Sequence, residues 1–491
     1  MTYHRTLISI YYLLQYIYHK NILRSGKEND IFFTAIKNLG GLYIKLTQFV
    51  LLNTTFLGNE DKIKFLAFYD QATFGETDID AILDAELGES GKSEIIELER
   101  EPFAAGSFAW VFKAKLRDQT RVIIKVKKKD LATSLRVDFV TLKCIAWIYN
   151  FIYSPKMIDL LGFIRVFERT TYKELDYRSE VENGLYFYDK YKFHKTVVIP
   201  KTYPELSTDT IIVQEFIDGL PLTSVIQLKN EVPDYKTWLH DNFNTDMQFV
   251  LREIFYQISY QGLKFKKVFV DPHPGNVIVL KNNRFAFIDF GIADESPANK
   301  KSYYYLIQEL SKKIEEVDLT HIGEEMLILC SNQLYQSLET VTSHLGKDMT
   351  KLLVKNYGEL LTAKSGKLRA IEQQKKEDMT SICLMITKLG ERYGIRIPVS
   401  LFNSLKSSSL FKSYSLYLEP NFHCTRDVYK KILETISEDE LENRVDPLAQ
   451  EQSLETSLEN ISEWTASMVE KDFGFYQEIN RMLTGVTSYA S

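Results

Sequence analysis

Several things are scarce in this chain, and each scarcity excludes something. Four cysteines in 491 residues (Cys144, Cys330, Cys383 and Cys424) stand far apart, with no C-x-x-C pair. That argues against a disulfide framework or a zinc site, points to a reducing compartment and reads as four buried thiols. There is no basic excess: 60 Lys and Arg face 66 Asp and Glu, a formal net charge of -6. Nucleic acid is therefore not expected as a partner. No run reaches the roughly 18 to 20 apolar residues that cross a bilayer. The nearest, Leu7 to Tyr18, is interrupted by Gln15. Proline is absent before Pro102, so nothing breaks a helical reading of residues 1–95. Internal repeats and low-complexity runs are also missing.

One local imbalance stands out. Residues 1–27 carry Arg5, Lys20, Arg24 and Lys27 and no acid. Such a segment is a signal-like or transit-like sequence, or a helix that is buried or lies on anionic lipid. Arginine is sparse and no small-x-small site follows the apolar run, which favours the helix. The expected location is cytoplasmic, peripheral to a membrane and without a transmembrane helix.

What is present is concentrated in one stretch. Asp271-Pro-His-Pro-Gly-Asn276 is followed thirteen residues later by Asp289-Phe290-Gly291. Protein kinases use two carboxylates and an amide in this order and spacing: the first Asp orients the attacking oxygen, and the Asn and the D-F-G Asp hold magnesium. Magnesium is a hard cation that takes few ligands from protein, and Asn276 and Asp289 supply that minimum. Val277 to Leu280 and Phe285 to Ile288 are short β-prone runs around the polar turn Lys281-Asn-Asn-Arg284, so the segment predicts a hairpin. Both metal ligands then lie at one hairpin end. The alternative is that Asp271 and Asn276 merely cap turns.

Upstream, strand-like patterns cover Ile95 to Leu98, Trp110 to Ala114 and Arg121 to Val126, with further candidates at Thr196 to Ile199 and Thr210 to Gln214. Helical periodicity runs from 129 to 192, interrupted at Ser154-Pro155. Ala104-Ala105-Gly106-Ser107 lies where a kinase has its Gly-rich phosphate loop. Alanine still permits close approach but stiffens the loop. Lys125, fourteen residues after Val111, ends Val122-Ile123-Ile124 as the phosphate-binding Lys ends V-A-I-K. Such a Lys needs a carboxylate partner; Glu180 and Glu182 are the candidates. Asp176 and Glu180, four apart, are expected on one helical face. Gln214-Glu215-Phe216 ends a strand and offers backbone groups to an adenine ring.

Two further absences separate this pattern from ordinary protein kinases. No A-P-E follows Gly291, leaving no room for a peptide-binding activation segment, and Phe269-Val270-Asp271 lacks the Arg of H-R-D. Protein kinase activity is disfavoured.

Taken with Lys45-Leu46-Thr47-Gln48 and Glu174-Leu175-Asp176, these motifs make the chain resemble the UbiB/AarF atypical kinase-like family from about residue 30 to 425. The family's marks are an Ala-rich loop, an E-x-D helix, D-P-H-P-G-N and an N-terminal K-x-G-Q helix. The chain departs from them at Thr47, at Gly106 and at Phe269-Val270. The resemblance implies a protein-kinase-like two-lobed α+β fold with helical N- and C-terminal extensions. The expected division is a KxxQ-bearing extension (1–95), a small lobe (96–217), a helical lobe (218–430) and a further extension (431–491), where Leu454, Leu458, Ile461 and Met468 share a helical stripe. Residues 364–377 read as a solvated face or loop.

The resemblance further implies ATP and Mg2+ as cofactors. Asp271 and Lys125 would be catalytic; Ala104, Ala105, Gly106, Ser107, Lys125, Glu180 and Glu215 would hold nucleotide; Asn276 and Asp289 would hold the metal. Lys45 and Gln48 would regulate by lying over the site, Lys45 pairing with Glu174 or Asp176. The implied activity is ATP hydrolysis or phosphorylation of a small molecule, supporting isoprenoid-quinone or lipid metabolism, with a lipid or quinone precursor as a possible partner. The competing expectation is a non-catalytic, nucleotide-gated scaffold.

Overall fold

The computed structural model describes residues 2–19, 28–46, 77–106, 108–129, 131–152, 160–297, 299–312, 325, 329, 399–422 and 424–441. Ser107, Gln48, the break at Ser154-Pro155, residues 364–377 and the stripe at 454–468 lie outside them. The chain divides into two compact units, one formed by residues 1–258, 267–294 and 403–424, the other by 259–266, 295–402 and 425–491.

The first unit opens with helices α1 (Thr2–Ile17) and α2 (Glu28–Leu39), and residues 41–46 are also helical. Helix α3 (Ile79–Lys92) starts at Asp78, whose carboxylate accepts the Ala81 N–H at 3.0 Å. An antiparallel sheet follows, built from β1 (Ile95–Leu98), β2 (Ala104–Ala105), β3 (Ala109–Leu116), β4 (Arg121–Lys127) and β6 (Ile211–Glu215) in the order β1-β3-β4-β6, with β2 on β3. Strand alternation decides its two faces. Phe112, Ala114, Leu116, Val122, Ile124, Val126, Ile211 and Val213 point to one side and pack with Ile79 and Leu83 of α3. Lys125 alternates with these and projects from the other side. There Tyr177 and Val181 of α6 (Tyr177–Tyr191) pack on Ile212.

Between β4 and β6 run α4 (Leu131–Ile152), α5 (Leu160–Glu174), α6 and the short strand β5 (Val197–Val198). Helices α4 and α5 share a core with Leu39, Leu42 and Tyr43. The expectation of four buried thiols needs correction, because Cys144 of α4 is exposed. A helix covering only one side of its length with neighbours leaves the other side wet, and Cys144 falls there.

After β7 (Leu220–Pro221) come α7 (Leu222–Glu231), α8 (Tyr235–Phe243), α9 (Met247–Lys264) and the short strand β8 (Lys267–Phe269). The hairpin β9 (Val277–Leu280) and β10 (Arg284–Phe287) then pairs Leu280 with Arg284 and Val277 with Phe287. Its turn places Asn282 and Asn283 at φ of 61° and 58°, a region that Asn tolerates better than other side chains do. The second sheet runs β5-β10-β9-β7.

Residues 403–418 of α11 (Val399–Leu418) brace the segment before this hairpin. Ser407 donates to the Val270 carbonyl, Tyr414 donates to the Pro272 carbonyl at 2.9 Å, and Phe411 stacks on Phe255 at 5.2 Å.

The second unit contains α10 (Lys300–Ser311) and α12 (Cys424–Thr435). Its Gly262 admits Tyr303: an added Cβ would lie 2.5 Å from the ring. Ser296 and Lys300 both donate to the Phe265 carbonyl, at 2.7 and 3.1 Å, and Lys264 pairs with Glu440 at 2.6 Å. Among the described residues no helix is long and apolar enough to cross a membrane.

Candidate functional site

The site begins with the alternation that turns Lys125 away from the small core. Its Nζ lies 2.7 Å from Glu180 Oε1 and 3.1 Å from Asp289 Oδ2. Three distant stretches of chain therefore share one ammonium group. Glu180 sits in the first turn of α6 and is almost fully buried, whereas the Asp289 side chain keeps 36% of its surface exposed. Glu182, the other candidate, lies two positions on and shows no contact with Lys125.

One face of α6 addresses the D-F-G tripeptide along its length. Glu180, Asn183 and Phe187 recur at helical spacing. Asn183 donates to the Phe290 carbonyl at 3.0 Å and accepts from Lys267 at 2.6 Å; Phe187 stacks on Phe290 at 5.2 Å. Phe269, a departure from the family pattern, meets Phe290 edge-on at 5.8 Å and Phe287 at 4.4 Å. The aromatic side chain at 269 thus backs the D-F-G Phe. Sequence reasoning missed Asn183, though its place three residues past Glu180 was the available signal.

The hairpin end brings the remaining pair together. Ile288 donates to the Asn276 carbonyl at 3.1 Å, closing the base of β9 and β10. The Asn276 amide nitrogen donates to Asp271, at 3.0 Å to Oδ2 and 3.2 Å to its carbonyl. With the nitrogen committed there, a cation would meet the amide oxygen. Asp289 Oδ1 accepts the Gly291 N–H at 2.9 Å.

The donors suit a hard cation. Asn276 and Asp289 present oxygen, and the buried Glu180 Oε2 has no hydrogen-bond partner and faces Gly291, 3.4 Å from where a Cβ would stand. Among the described residues no group of three or more His, Cys, Asp or Glu side chains is placed to hold a metal by itself.

Burial and the attraction between Lys125 and its two acids dominate the electrostatics. Burial lifts the Glu180 carboxyl to about 7; the Lys125 charge opposes this and Asp289 adds to it. Burial also lifts Asp289, but Lys125 and the Gly291 N–H outweigh it and leave the group below its ordinary value. Lys125 loses by desolvation and gains more from Asp289 and Glu180, so it stays firmly protonated.

Lys45 approaches the same cluster from the residues 41–46 segment. Its Nζ lies 2.6 Å from Glu174 Oε1, and Asp271 and Asp289 add to the field that keeps it charged. Asp176 does something else. Glu174 closes α5 and Asp176 caps α6, accepting from the Ser179 N–H at 3.2 Å and hydroxyl at 2.8 Å. The E-x-D motif is therefore a junction between two helices, and Asp176, with non-helical dihedrals, does not share a helical face with Glu180 as expected. The Lys45 contact goes to Glu174 because the cap commits Asp176 elsewhere.

On the nucleotide side, Ala104 and Ala105 pair with Val111 and Trp110 as β2. Gly106 donates to the Ala109 carbonyl at 2.9 Å and accepts from Lys128 at 2.8 Å. Phe103 and Phe216 meet edge-on at 6.0 Å, which brings the start of this loop to the end of β6. Lys113, on the same face as Lys125, lies 4.0 Å from the Phe103 ring. The Glu215 carboxylate accepts from the Lys201 N–H at 3.3 Å, and the Glu215 N–H donates to the Lys201 carbonyl at 2.8 Å. Gln214 donates to the Ile288 carbonyl at 3.4 Å, linking β6 to the end of the hairpin.

A family model for the ABC1 atypical kinase-like domain matches residues 69–326, just over half of the chain. The chain belongs to that family. The Arabidopsis thaliana protein ACTIVITY OF BC1 COMPLEX KINASE 3, chloroplastic, is 28% identical over 57% of this chain and 37% of its own length. An ABC1 family protein of Schizosaccharomyces pombe is 26% identical over 60% of this chain and 56% of its own. A protein of Blochmanniella pennsylvanica named "Probable protein kinase UbiB" is 22% identical over 56% and 49%. The chain thus spans between about a third and somewhat over half of these relatives. A solved complex of Rv3197 with erythromycin from Mycobacterium tuberculosis overlaps 63% of this chain at 20% identity, with a TM-score of 0.41, too slight a likeness to carry an argument.

Proposed function

We propose that the chain binds magnesium-ATP and acts as an atypical kinase-like ATPase or small-molecule phosphotransferase. The observation that carries this reading is the sharing of Lys125 between Glu180 and Asp289, beside the Asp271–Asn276 pair. Lys125, held by Glu180, would clamp the α- and β-phosphates. Asn276 and Asp289 would hold magnesium, which would supply positive charge to offset that of the phosphates. Asp271 would orient the attacking water or hydroxyl, and the Asn276 amide fixes the Asp271 carboxylate for that task. Ala104, Ala105, Gly106 and Ser107 would cover the phosphates, and the backbone at Glu215 would meet the base. The short path from Gly291 to α10 supports a small acceptor over a peptide. Kinship with proteins named UbiB supports a role in isoprenoid-quinone or lipid metabolism.

The second reading is a nucleotide-gated scaffold, and the Lys45–Glu174 pair favours it. A lysine tethered beside Asp271 and Asp289 offers a charge where an acceptor or metal would come. Lys45 and Gln48 are then regulatory. Titration with magnesium-ATP, read by calorimetry, and phosphate release separate the two. The kinase-like reading expects Asp271→Asn to keep binding and to lose turnover by about 10² or more. Unchanged turnover in that variant overturns it. Failure of magnesium-ATP to bind the native chain overturns both.

A further inference from the structure

Asp289 stands among like charges. It raises the carboxyls of Glu180 and Glu174, and the repulsion is mutual. A free side chain would turn away from them. Lys125 holds Oδ2 at 3.1 Å, but the acid is 36% exposed, and one partly exposed ion pair does not fix a carboxylate's direction. The other oxygen is held by the main chain: Oδ1 accepts the Gly291 N–H at 2.9 Å. That N–H shares one peptide group with the Phe290 carbonyl, and the group is planar and stiff. Asn183 grips the carbonyl end, donating to it at 3.0 Å. The 290–291 peptide is therefore held at both ends, by Asn183 at its carbonyl and by the Asp289 carboxylate at its N–H.

Asn183 is itself fixed. Its Oδ1 accepts from Lys267 Nζ at 2.6 Å. An ammonium only donates and a carbonyl only accepts, so one orientation of the amide satisfies both partners. Asn183 is buried, and the opposite orientation would leave both contacts unmade. Helix α6 comes near enough for so short a side chain because Gly184 follows: a Cβ there would stand 2.8 Å from Thr202 Oγ1 and 3.8 Å from the Phe290 ring. Phe187 and Phe269 hold that ring, which leaves the tilt of the 290–291 peptide to Asn183. On the other side of Asp289, Gln214 steadies the Ile288 carbonyl at 3.4 Å.

We propose that Asn183, anchored by Lys267, is a positioning residue that sets the direction of the Asp289 carboxylate through the 290–291 peptide. From Lys267 through Asn183 and the peptide to Asp289 and Lys125, each polar contact polarises the next. Neither Asn183 nor Lys267 touches a group that would hold phosphate or metal. Their effect on metal affinity rests on the magnesium-ATP reading, whereas their hold on the carboxylate does not.

Two measurements on the full chain test this. Asn183→Asp keeps an acceptor for Lys267 and removes the donor to the Phe290 carbonyl. Hydrogen–deuterium exchange at the Gly291 amide is expected to be slow in the native chain and about tenfold faster in this variant. Calorimetry with ATP, in magnesium and in EDTA, is expected to show that Asn183→Asp loses about 10- to 100-fold of the affinity gained from magnesium, with binding in EDTA unchanged. Lys267→Met leaves the Asn183 donor but frees the amide to turn; it should shift both readings the same way by less, and it decides the matter if Asn183→Asp does not fold. The proposal is overturned if the Gly291 amide exchanges at the native rate in these variants, or if binding with and without magnesium weakens by the same factor. If the native chain binds no magnesium-ATP, the proposed function falls, and Gly291 exchange still decides whether Asn183 holds the carboxylate.

Discussion

Two lysines in this molecule meet a glutamate at nearly the same distance, Lys125 to Glu180 at 2.7 Å and Lys45 to Glu174 at 2.6 Å. They are delivered by unlike means. Lys125 is fixed by a strand with neighbours on both sides, β3 and β6, and is shared with a second acid, Asp289. Lys45 rides on the helical segment 41–46, whose start is marked by Gly40 and Gly41, both at positive φ, 60° and 43°. Glycine reaches that region without strain and fixes it less firmly than any other residue. Its acid, Glu174, ends a helix. The first pair is built into the sheet; the second joins a short helical segment, packed through Leu42 and Tyr43 on the core of α4 and α5, to the last residue of α5. A charge held by the sheet suits a clamp, and one held on a glycine-preceded segment suits a gate.

The sharpest way to break the comparison is at Lys125. Lys125→Met leaves Glu180 and Asp289 facing each other without the cation between them. Chemical denaturation should show a loss near the low end of about 3–5 kcal/mol, since Asp289 is partly exposed, and magnesium-ATP binding should disappear in calorimetry. A loss below that at Lys45 would fit the gate.

Glu180 gives the next largest effect, and it is a pH dependence. Its carboxyl is raised from 4.5 to about 7. The folded protein therefore holds this proton more tightly than the unfolded chain does. The group's contribution to stability is full below about 4.5 and is lost as pH rises through about 7. Glu180→Gln should flatten that part of the pH profile of denaturation midpoints; an unchanged slope would assign it to other groups.

A double-mutant cycle sharpens the second pair. Lys45→Ala with Glu174→Ala should show a coupling of about 0.5–3 kcal/mol in denaturation, while Lys45→Ala with Asp176→Ala should be additive within about 0.5 kcal/mol. The gate also predicts that Lys45→Ala binds magnesium-ATP faster in stopped flow. The smallest effect belongs to Asp176→Ala by itself, a loss of about 1 kcal/mol from the missing cap of α6, with nucleotide affinity little changed.

Much of this was legible beforehand because it depends on short-range rules. Alternation in Trp110 to Ala114 and Arg121 to Val126 foretold β3 and β4, which run slightly longer than the apolar patterns. The polar turn at 281–284 foretold the hairpin and so the adjacency of Asn276 to the D-F-G Asp. Less legible were contacts made between elements. Nothing local distinguishes Asp176 as a cap from Asp176 as a charge partner; the break between α5 and α6 decides it. Nor does any pattern near Asp271 announce that Ser407 and Tyr414, more than a hundred residues on, hold the carbonyls beside it.

By itself the sequence determined which side chains were available and where each would sit on its own strand, helix or turn, because period, turn chemistry and spacing act over a few residues. Only the tertiary structure decided which acid meets which lysine, and that Glu180 is buried deeply enough to hold a proton near neutrality. Those outcomes depend on dielectric surroundings and on packing between segments far apart in the chain, 164 positions for Lys125 and Asp289, and no local rule carries that information.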